Sequence, residues 1–246
     1  MIGQGGILSK VPRTNLIMTT ISANLQAVLA HIDATVRNCG RYAKDIRLLA
    51  VSKTWPASCV LAAVEAGQKA FGENYVQEGI EKIREIGRPD LEWHFIGPLQ
   101  SNKTRQVAEA FDWVHSVDRF KIAERLSQQR PDSLPPLQIC LQVNISGEKT
   151  KQGIHEGDVL SLAQQVALLP RLRLRGLMTI PEPTVDFSQQ CRPFRRLREL
   201  FEQLKGKGLA LDTLSMGMSN DMEAAIAEGA TLIRVGTAIF GERNRS

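Results

Sequence analysis

The chain has 246 residues, 43% of them hydrophobic, and a formal net charge of +5 at pH 7. A chain of this size and composition can bury a complete core, as one large domain or two small ones. No run of about 18 apolar residues predicts a membrane span, and no basic motif with interleaved aromatic residues predicts a nucleic-acid partner.

The N-terminal segment, residues 1–20, contains glycine and serine but neither the apolar stretch nor the cleavage site of a signal peptide. We expect this segment to be a disordered extension and residues 21–246 to form the folded domain. The first predicted element of that domain is an amphipathic helix over residues 21–38, with Gly40 just beyond its end.

Strand-like and helix-like segments alternate along the rest of the chain. Apolar and β-branched runs predict eight strands, at residues 47–53, 70–74, 92–97, 113–117, 137–145, 172–180, 213–218 and 232–240. Helical periodicity, often stopped by glycine or proline, predicts seven helices, at residues 56–66, 75–86, 103–111, 120–129, 158–169, 192–205 and 221–228. This alternation is typical of a parallel sheet with right-handed crossover connections.

Two folds are compatible with such an alternation. Eight strands in roughly 200 residues is the count of a closed (β/α)8 barrel, or TIM barrel. An open doubly wound sheet that held a dinucleotide would carry Gly-x-Gly-x-x-Gly after its first strand, but that turn here is Ser-Lys-Thr-Trp-Pro-Ala. The sequence therefore favours a single α/β domain, a (β/α)8 barrel with an extra N-terminal helix and no second domain.

Reactive groups of a barrel gather at the carboxyl ends of its strands. The first strand ends at Lys53, whose stem packs among apolar neighbours, so its partly desolvated amine can have a lowered pKa and attack a carbonyl. The alternative is an ordinary strand-end lysine that extends into water. The other strand ends are also polar or small: Asn74, His94 with Gly97, Asn144, Met178, Ser215 to Ser219, and Arg234 to Thr237.

The last two strand ends favour a phosphate. Gly217 permits close backbone approach, and Ser219 or Asn220 can cap the helix that follows, whose N–H groups and dipole suit an anion. Gly236 and Thr237 add bare backbone and a hydroxyl after the eighth strand. Barrels commonly bind phosphate in these two loops. Tight turns and an ordinary cap remain the alternative for each position taken alone.

Arg234 alternates with Ile233 and Val235, which predicts that its side chain points into the barrel. A buried arginine needs a partner, either a carboxylate or the ring nitrogen of a bound heterocycle. A phosphorylated heterocycle with an aldehyde would use the arginine, Lys53 and the phosphate loops together. Pyridoxal 5′-phosphate is such a molecule.

Five segments resemble the motifs of the pyridoxal phosphate homeostasis protein family. The most specific is WHFIGPLQSNK at residues 93–103; the others are AVSKT at 50–54, FGENY at 71–75, SMGMS at 215–219 and RVGTAIFG at 234–241. The similarity extends over residues 21–243. It implies a single-domain barrel like the N-terminal domain of alanine racemase, with Lys53 as the Schiff-base lysine and Arg234 at the pyridine nitrogen. The resemblance further implies that Ser215, Gly236 and Thr237 lie near the phosphate, and we expect Asn74, His94, Met218 and Ser219 at the cofactor as well.

Two functional classes remain open. A racemase or decarboxylase of the alanine racemase fold needs a second acid or base opposite Lys53, and in the related racemases this is a tyrosine from a second domain. The chain has only Tyr42 and Tyr75, and an arginine at the ring nitrogen weakens the cofactor as an electron sink. We therefore expect a carrier in vitamin B6 homeostasis, with apo-enzymes as recipients and no catalytic residue. A sugar-phosphate enzyme that uses a lysine imine is a third, weaker alternative.

The cysteines and the other histidines predict neither disulfides nor a metal site. Four cysteines lie far apart without a Cys-x-x-Cys pair, which argues against disulfides and zinc and fits the cytoplasm. His31, His115 and His155 lack metal-ligand spacing. Lys149 and Lys151 are the rivals of Lys53 as the anchoring amine. Without a dimerising second domain, we expect a monomer.

Overall fold

The computed structural model of the chain describes residues 13–147 and 152–242. Its eight parallel strands close into a barrel in sequence order, with the first strand paired to the eighth. The strands are β1 (Arg47–Val51), β2 (Ala70–Glu73), β3 (Glu92–Phe95), β4 (Trp113–Val117), β5 (Leu137–Gln142), β6 (Leu172–Met178), β7 (Thr213–Ser215) and β8 (Leu232–Val235). The predicted (β/α)8 barrel is confirmed.

Helices follow the strands and cover the outside of the barrel. They are α1 (Arg13–Asn38), α2 (Ala57–Glu65), α3 (Val76–Ile86), α4 (Thr104–Ala110), α5 (Phe120–Gln129), α6 (Glu156–Ala167), α7 (Phe187–Gly206), α8 (Met222–Ala227) and α9 (Thr237–Phe240). Short 3-10 turns occur at Ala43–Asp45 and Ser101–Lys103. None of the helices within the described ranges is long and apolar enough to cross a membrane.

The N-terminal helix closes the seam between the last and the first βα units. It packs against α2, α8 and α9. Asn24 Nδ2 donates to the Ile239 carbonyl at 3.0 Å, and just after the helix Arg41 Nη1 donates to the Ile226 carbonyl at 2.8 Å. Leu25 and Val36 of the same helix are fully buried. The extra helix is therefore an integral part of the barrel wall.

Two helices begin at least about five residues earlier than their sequence patterns predict. Helix α1 begins at Arg13, because residues 13–20 contain neither glycine nor proline to stop a helix. The predicted disorder of residues 1–20 thus does not describe 13–20, and residues 1–12 lie outside the described ranges. Helix α7 begins at Phe187, where Asp186 Oδ1 accepts a hydrogen bond from the Gln189 N–H at 2.7 Å. Pro193, which the sequence suggests as a first-turn residue, lies inside the helix.

Most of the strands are shorter at their carboxyl ends than predicted. β1 ends at Val51 rather than at residue 53, and β8 ends at Val235, after which residues 237–240 form helix α9 instead of continuing the strand. The apolar pattern continues past these points because residues beyond the strands are also buried, as Ile239 and Phe240 of α9 are. Lys53, Asn74 and Ser219 consequently lie beyond the ends of their strands, whereas His94, Ser215 and Arg234 lie within β3, β7 and β8.

Candidate functional site

A cavity of about 1050 Å³ opens at the carboxyl end of the barrel. Its lining includes seven of the nine predicted cofactor residues: Lys53, Asn74, Met218, Ser219, Arg234, Gly236 and Thr237. These residues lie at the carboxyl end of β8 or in the segments that follow β1, β2, β7 and β8, and the parallel strands bring them to one edge. The cavity lining does not include His94 or Ser215. Lys149 and Lys151 lie outside the described residues.

Lys53 lies in a turn just beyond β1, with its side chain half-buried. The next residue, Thr54, has φ of 66°, a left-handed conformation that costs a β-branched residue about 1–3 kcal/mol. Such a conformation persists only where the surroundings hold it. The Thr54 N–H donates to Glu78 Oε1, and the Ser52 N–H donates to the Gly72 carbonyl at 3.0 Å. The turn that presents Lys53 is therefore held on both sides.

A buried ionic cluster, which we call the Lys82 cluster, lies behind this turn. Lys82 Nζ is 2.8 Å from Glu73 Oε1 and 2.6 Å from Glu78 Oε1, and it donates to the Ser52 carbonyl at 2.7 Å. The Ser52 hydroxyl donates to Glu73 Oε1 at 2.7 Å. Burial raises the pKa of Glu73, although Lys82 opposes the shift. No sequence pattern predicted this cluster; its one local signal is a glutamate that closes an apolar strand.

Asn74 occupies the loop after β2, directly against the loop after β3. A Cβ atom at Gly97 would lie 2.0 Å from the Asn74 carbonyl oxygen, so only glycine permits this approach. The Asn74 Oδ1 atom is buried and has no hydrogen-bond partner within the described residues. Since a buried acceptor normally finds a donor, this oxygen suits a ligand hydroxyl in the cavity.

Arg234 is 3% exposed and points into the barrel, as its alternation predicts. Its Nη1 donates to Ser215 Oγ at 2.7 Å, and its Nη2 donates to the Thr179 carbonyl at 2.9 Å. Burial lowers the pKa of Arg234 to about 10, with Asp221 opposing the shift, so the guanidinium stays charged at neutral pH. Both of these partners are uncharged, which leaves a buried cation at the cavity wall.

The loops after β7 and β8 have the bare backbone that was predicted. Gly217 has φ of 94°, and a Cβ atom there would lie 2.5 Å from Ala225 Cβ. A Cβ atom at Gly236 would lie 3.0 Å from the Val51 carbonyl oxygen. The backbone N–H groups of Ser219 and Gly236 donate to no other described residue, so they are available to a ligand.

The predicted helix cap after β7 is wrong. Ser219 and Asn220 form the turn before α8, and Asp221 occupies the position that precedes the helix. Asp221 Oδ1 instead accepts a hydrogen bond from the Met218 N–H at 2.6 Å. An aspartate side chain can accept a hydrogen bond from a backbone N–H of its own loop, as Asp221 does here. The residue types of the loop did not predict which side chain would do so.

His94 and Ser215 lie in the barrel interior, each with 0% exposure. Ser215 Oγ bonds to both Arg234 and His115, and His94 Nδ1 is 2.9 Å from His115 Nε2. The two predicted residues that miss the cavity are therefore connected to it through Arg234. Among the described residues, no cluster of histidine, cysteine or acidic side chains could hold a metal ion.

Known proteins with similar sequences agree with this fold. The family model described as alanine racemase, N-terminal domain, matches residues 25–244. The pyridoxal phosphate homeostasis protein of Pseudomonas aeruginosa is 57% identical over 227 residues, which cover 92% of this chain and 97% of the relative. This chain belongs to the pyridoxal phosphate homeostasis protein family.

Two further relatives extend the comparison. The pyridoxal phosphate homeostasis protein of Escherichia coli is 55% identical over 232 residues, 93% of this chain and 99% of the relative. The structure of PipY from Synechococcus elongatus with pyridoxal phosphate bound has 40% identity and a TM-score of 0.76, and the match covers 87% of this chain and 100% of PipY. The names of the two relatives in the family describe homeostasis rather than a reaction, in agreement with the expectation of a non-enzyme.

Proposed function

We propose that this protein binds pyridoxal 5′-phosphate through a Schiff base to Lys53 and passes it to apo-enzymes, as part of vitamin B6 homeostasis in the cytoplasm. The observation that carries the proposal is the convergence of an amine, a buried arginine and open backbone N–H groups on one cavity. The bound cofactor of PipY supports the choice of ligand. Four free cysteine thiols fit a reducing compartment.

The residues present fit the chemical groups of this cofactor. Pyridoxal phosphate supplies an aldehyde that condenses with a primary amine, beside a ring hydroxyl, a ring nitrogen and a phosphate. Lys53 offers the amine, the Asn74 Oδ1 atom offers an acceptor to the hydroxyl, and Arg234 offers N–H donors to the ring nitrogen. Gly236 and Thr237 offer an amide and a hydroxyl to the phosphate.

Lys53 carries the covalent step. When pyridoxal phosphate binds, the Lys53 amine would condense with the aldehyde that the cofactor supplies, forming a C=N bond and releasing the aldehyde oxygen as water. Hydrolysis of that bond by one water molecule would return the amine and release the cofactor. The step is reversible and needs no oxidant or second substrate, so the same residue serves both uptake and release.

The cavity is poorly equipped for turnover of amino acids. Arg234 remains protonated and donates to the ring nitrogen, which keeps a proton off that atom and weakens electron withdrawal by the ring. Neither Tyr42 nor Tyr75 is among the described residues that line the cavity. The half-buried carboxylate of Asp221 accepts a hydrogen bond from the Met218 N–H, and Glu242, the other carboxylate of the lining, is exposed. A positioned acid or base contributes typically about 10²–10⁴-fold, so its absence leaves only slow background chemistry.

The anchoring amine is tested by borohydride reduction of the loaded protein and mapping of the modified peptide. We expect the pyridoxyl group on the peptide that contains Lys53 and no covalent cofactor in a Lys53→Ala variant. An adduct on Lys149 or Lys151 would show that Lys53 is not the anchor.

The carrier function is tested by two assays on the loaded protein. Transfer to an apo-enzyme should restore that enzyme's activity, while racemisation, transamination and decarboxylation of common amino acids should be undetectable. A turnover of about 1 s⁻¹ or faster, as in ordinary enzymes, would support the racemase or decarboxylase alternative instead. Sedimentation of the protein with and without the cofactor should give the mass of a monomer.

A further inference from the structure

Five side chains form an unbroken line of hydrogen bonds through the barrel interior, which we call the relay. From the cavity inward, Arg234 Nη1 is 2.7 Å from Ser215 Oγ, and Ser215 Oγ is 2.8 Å from His115 Nδ1. His115 Nε2 is 2.9 Å from His94 Nδ1, and His94 Nε2 is 2.6 Å from Glu92 Oε1. The relay joins β8, β7, β4 and β3, and only its last member reaches solvent, where Glu92 pairs with Arg47.

The two ends of the relay fix the direction of every bond in it. Arginine only donates and a carboxylate only accepts. Burial lowers the pKa of His94 and lowers that of His115 well below the usual value, so both rings are neutral near pH 7 and each carries one N–H. His94 gives its Nε2 proton to Glu92 and accepts at Nδ1 from His115. His115 in turn accepts at Nδ1 from the Ser215 hydroxyl.

Ser215 consequently has no proton left for any other partner. Its hydroxyl proton points to His115, and its lone pairs are held toward the Arg234 guanidinium. Arg234 is held from a second side by the Thr179 carbonyl, 2.9 Å from Nη2. A planar guanidinium fixed by two acceptors cannot rotate freely, so the direction of its remaining N–H groups is also fixed.

We propose that Ser215, His115 and His94 are positioning residues that orient Arg234, so that its remaining N–H groups meet the ring nitrogen of bound pyridoxal phosphate. This inference rests on the proposed function, because the ring nitrogen belongs to the proposed cofactor. It assigns a role to His94 and Ser215, which were predicted to contact the cofactor but do not line the cavity. It also gives a role to His115, which the sequence offered no reason to select.

A simpler explanation of the relay is that its polar groups only satisfy one another's hydrogen bonds in the core and do not orient Arg234. The two explanations differ in what the cofactor's ring nitrogen contributes to binding. If the relay orients Arg234, the contribution of that nitrogen depends on Ser215. If the relay is only structural, a change at Ser215 weakens all ligands of the cavity equally.

The test compares pyridoxal phosphate with an analogue in which a C–H group replaces the ring nitrogen. The wild-type protein should bind pyridoxal phosphate about ten- to a hundredfold more tightly, as expected for one hydrogen bond to a charged group. The Ser215→Ala variant should lose most of this preference. The matched control is Ser116→Ala, because the Ser116 hydroxyl is also buried but has no partner within the described residues. It should keep the wild-type preference.

Several results would overturn the inference. If the wild-type protein bound the two ligands equally tightly, the ring nitrogen would make no contact that contributes to binding. The proposed attachment to Lys53 would not be affected by that result. A full preference in Ser215→Ala would show that the relay is not needed. Absence of any bound cofactor in the wild-type protein would instead overturn the proposed function. If Ser215→Ala does not fold, Ser215→Cys keeps the volume with a weaker acceptor and should show an intermediate preference.

The direction of the relay has a test that needs no variant and no cofactor. In nitrogen-15 NMR spectra of the full chain at pH 7.5, His94 and His115 should both show the pattern of a neutral ring protonated at Nε2. A ring protonated at Nδ1, or a doubly protonated ring, at either position would reverse at least one bond and overturn the proposed orientation of Ser215.

Discussion

Replacement of Lys82 by methionine should strongly destabilise the protein, although the two side chains have similar volumes. Lys82 and Glu73 are buried, with side-chain exposures of 6% and 0%. Methionine removes the cation and leaves the Glu73 carboxylate with the Ser52 hydroxyl as its hydrogen-bond partner among the described residues. Removal of one member of a buried ion pair costs about 3–5 kcal/mol. For a chain of this length we expect the melting temperature to fall by about 6–20 °C.

The loss of stability should depend on pH in a defined direction. Burial already raises the pKa of Glu73 in the folded protein, and loss of Lys82 raises it further. A carboxyl group whose folded pKa is raised destabilises the protein above that pKa, where it is ionised, and the penalty disappears below the unfolded value of 4.5. The difference in stability between wild type and variant should therefore be largest at pH 7–8 and smaller near pH 5.

Chemical denaturation of both proteins across this pH range measures the effect. The double variant Lys82→Met with Glu73→Gln should recover much of the lost stability, because it leaves no buried charge. The control is Lys69→Met, since Lys69 forms an exposed pair with Asp90 and solvent screening makes such surface pairs weak. A loss in Lys82→Met no larger than in Lys69→Met, or one independent of pH, would refute this account of the Lys82 cluster.

Three further predictions concern other parts of the site. Thr237→Val should weaken pyridoxal phosphate about ten- to a hundredfold more than pyridoxal, because only the former has a phosphate; equal weakening in titrations would contradict this. Gly97→Ala should lower the free energy of unfolding by at least about 1–3 kcal/mol and reduce cofactor affinity, since the new Cβ would collide with the Asn74 carbonyl. Gly157→Ala is the control and should change neither quantity, because its Cβ would meet no atom within 4 Å. Burial lowers the folded pKa of the two relay histidines, so stability should fall as the pH drops through about 6.5, by at most about 1.4 kcal/mol per pH unit for each. Denaturation curves measured across this pH range should show that the free energy of unfolding depends less steeply on pH in His115→Phe than in the wild type. An unchanged dependence on pH would contradict the lowered pKa of His115.

Local sequence patterns predict the architecture and the polar residues on which the candidate site depends, Lys53 and Arg234 above all. Local apolar periodicity and stops at glycine or proline predict all eight strands and the helices α1 to α8, because these signals depend on residues close together in the chain. The short helix α9 was predicted as a continuation of the eighth strand. The position of Lys53 after the first strand and the alternation around Arg234 then bring both residues to one end of a closed barrel. Gly236 and Thr237 follow from the same strand-end argument, because all parallel strands of a barrel end on the same side.

Which buried polar groups meet one another depends on the packing of the closed barrel. His115 and Ser215 are 100 residues apart in sequence, and Lys82 reaches Ser52 across 30 residues. No local pattern records such pairs, so His115 gave no signal as an isolated histidine and Lys82 none as a lysine in an amphipathic helix. The relay and the Lys82 cluster exist because closing the barrel removes water from these side chains. Each group must then find a protein partner, and the one within reach is set by packing rather than by its sequence neighbours.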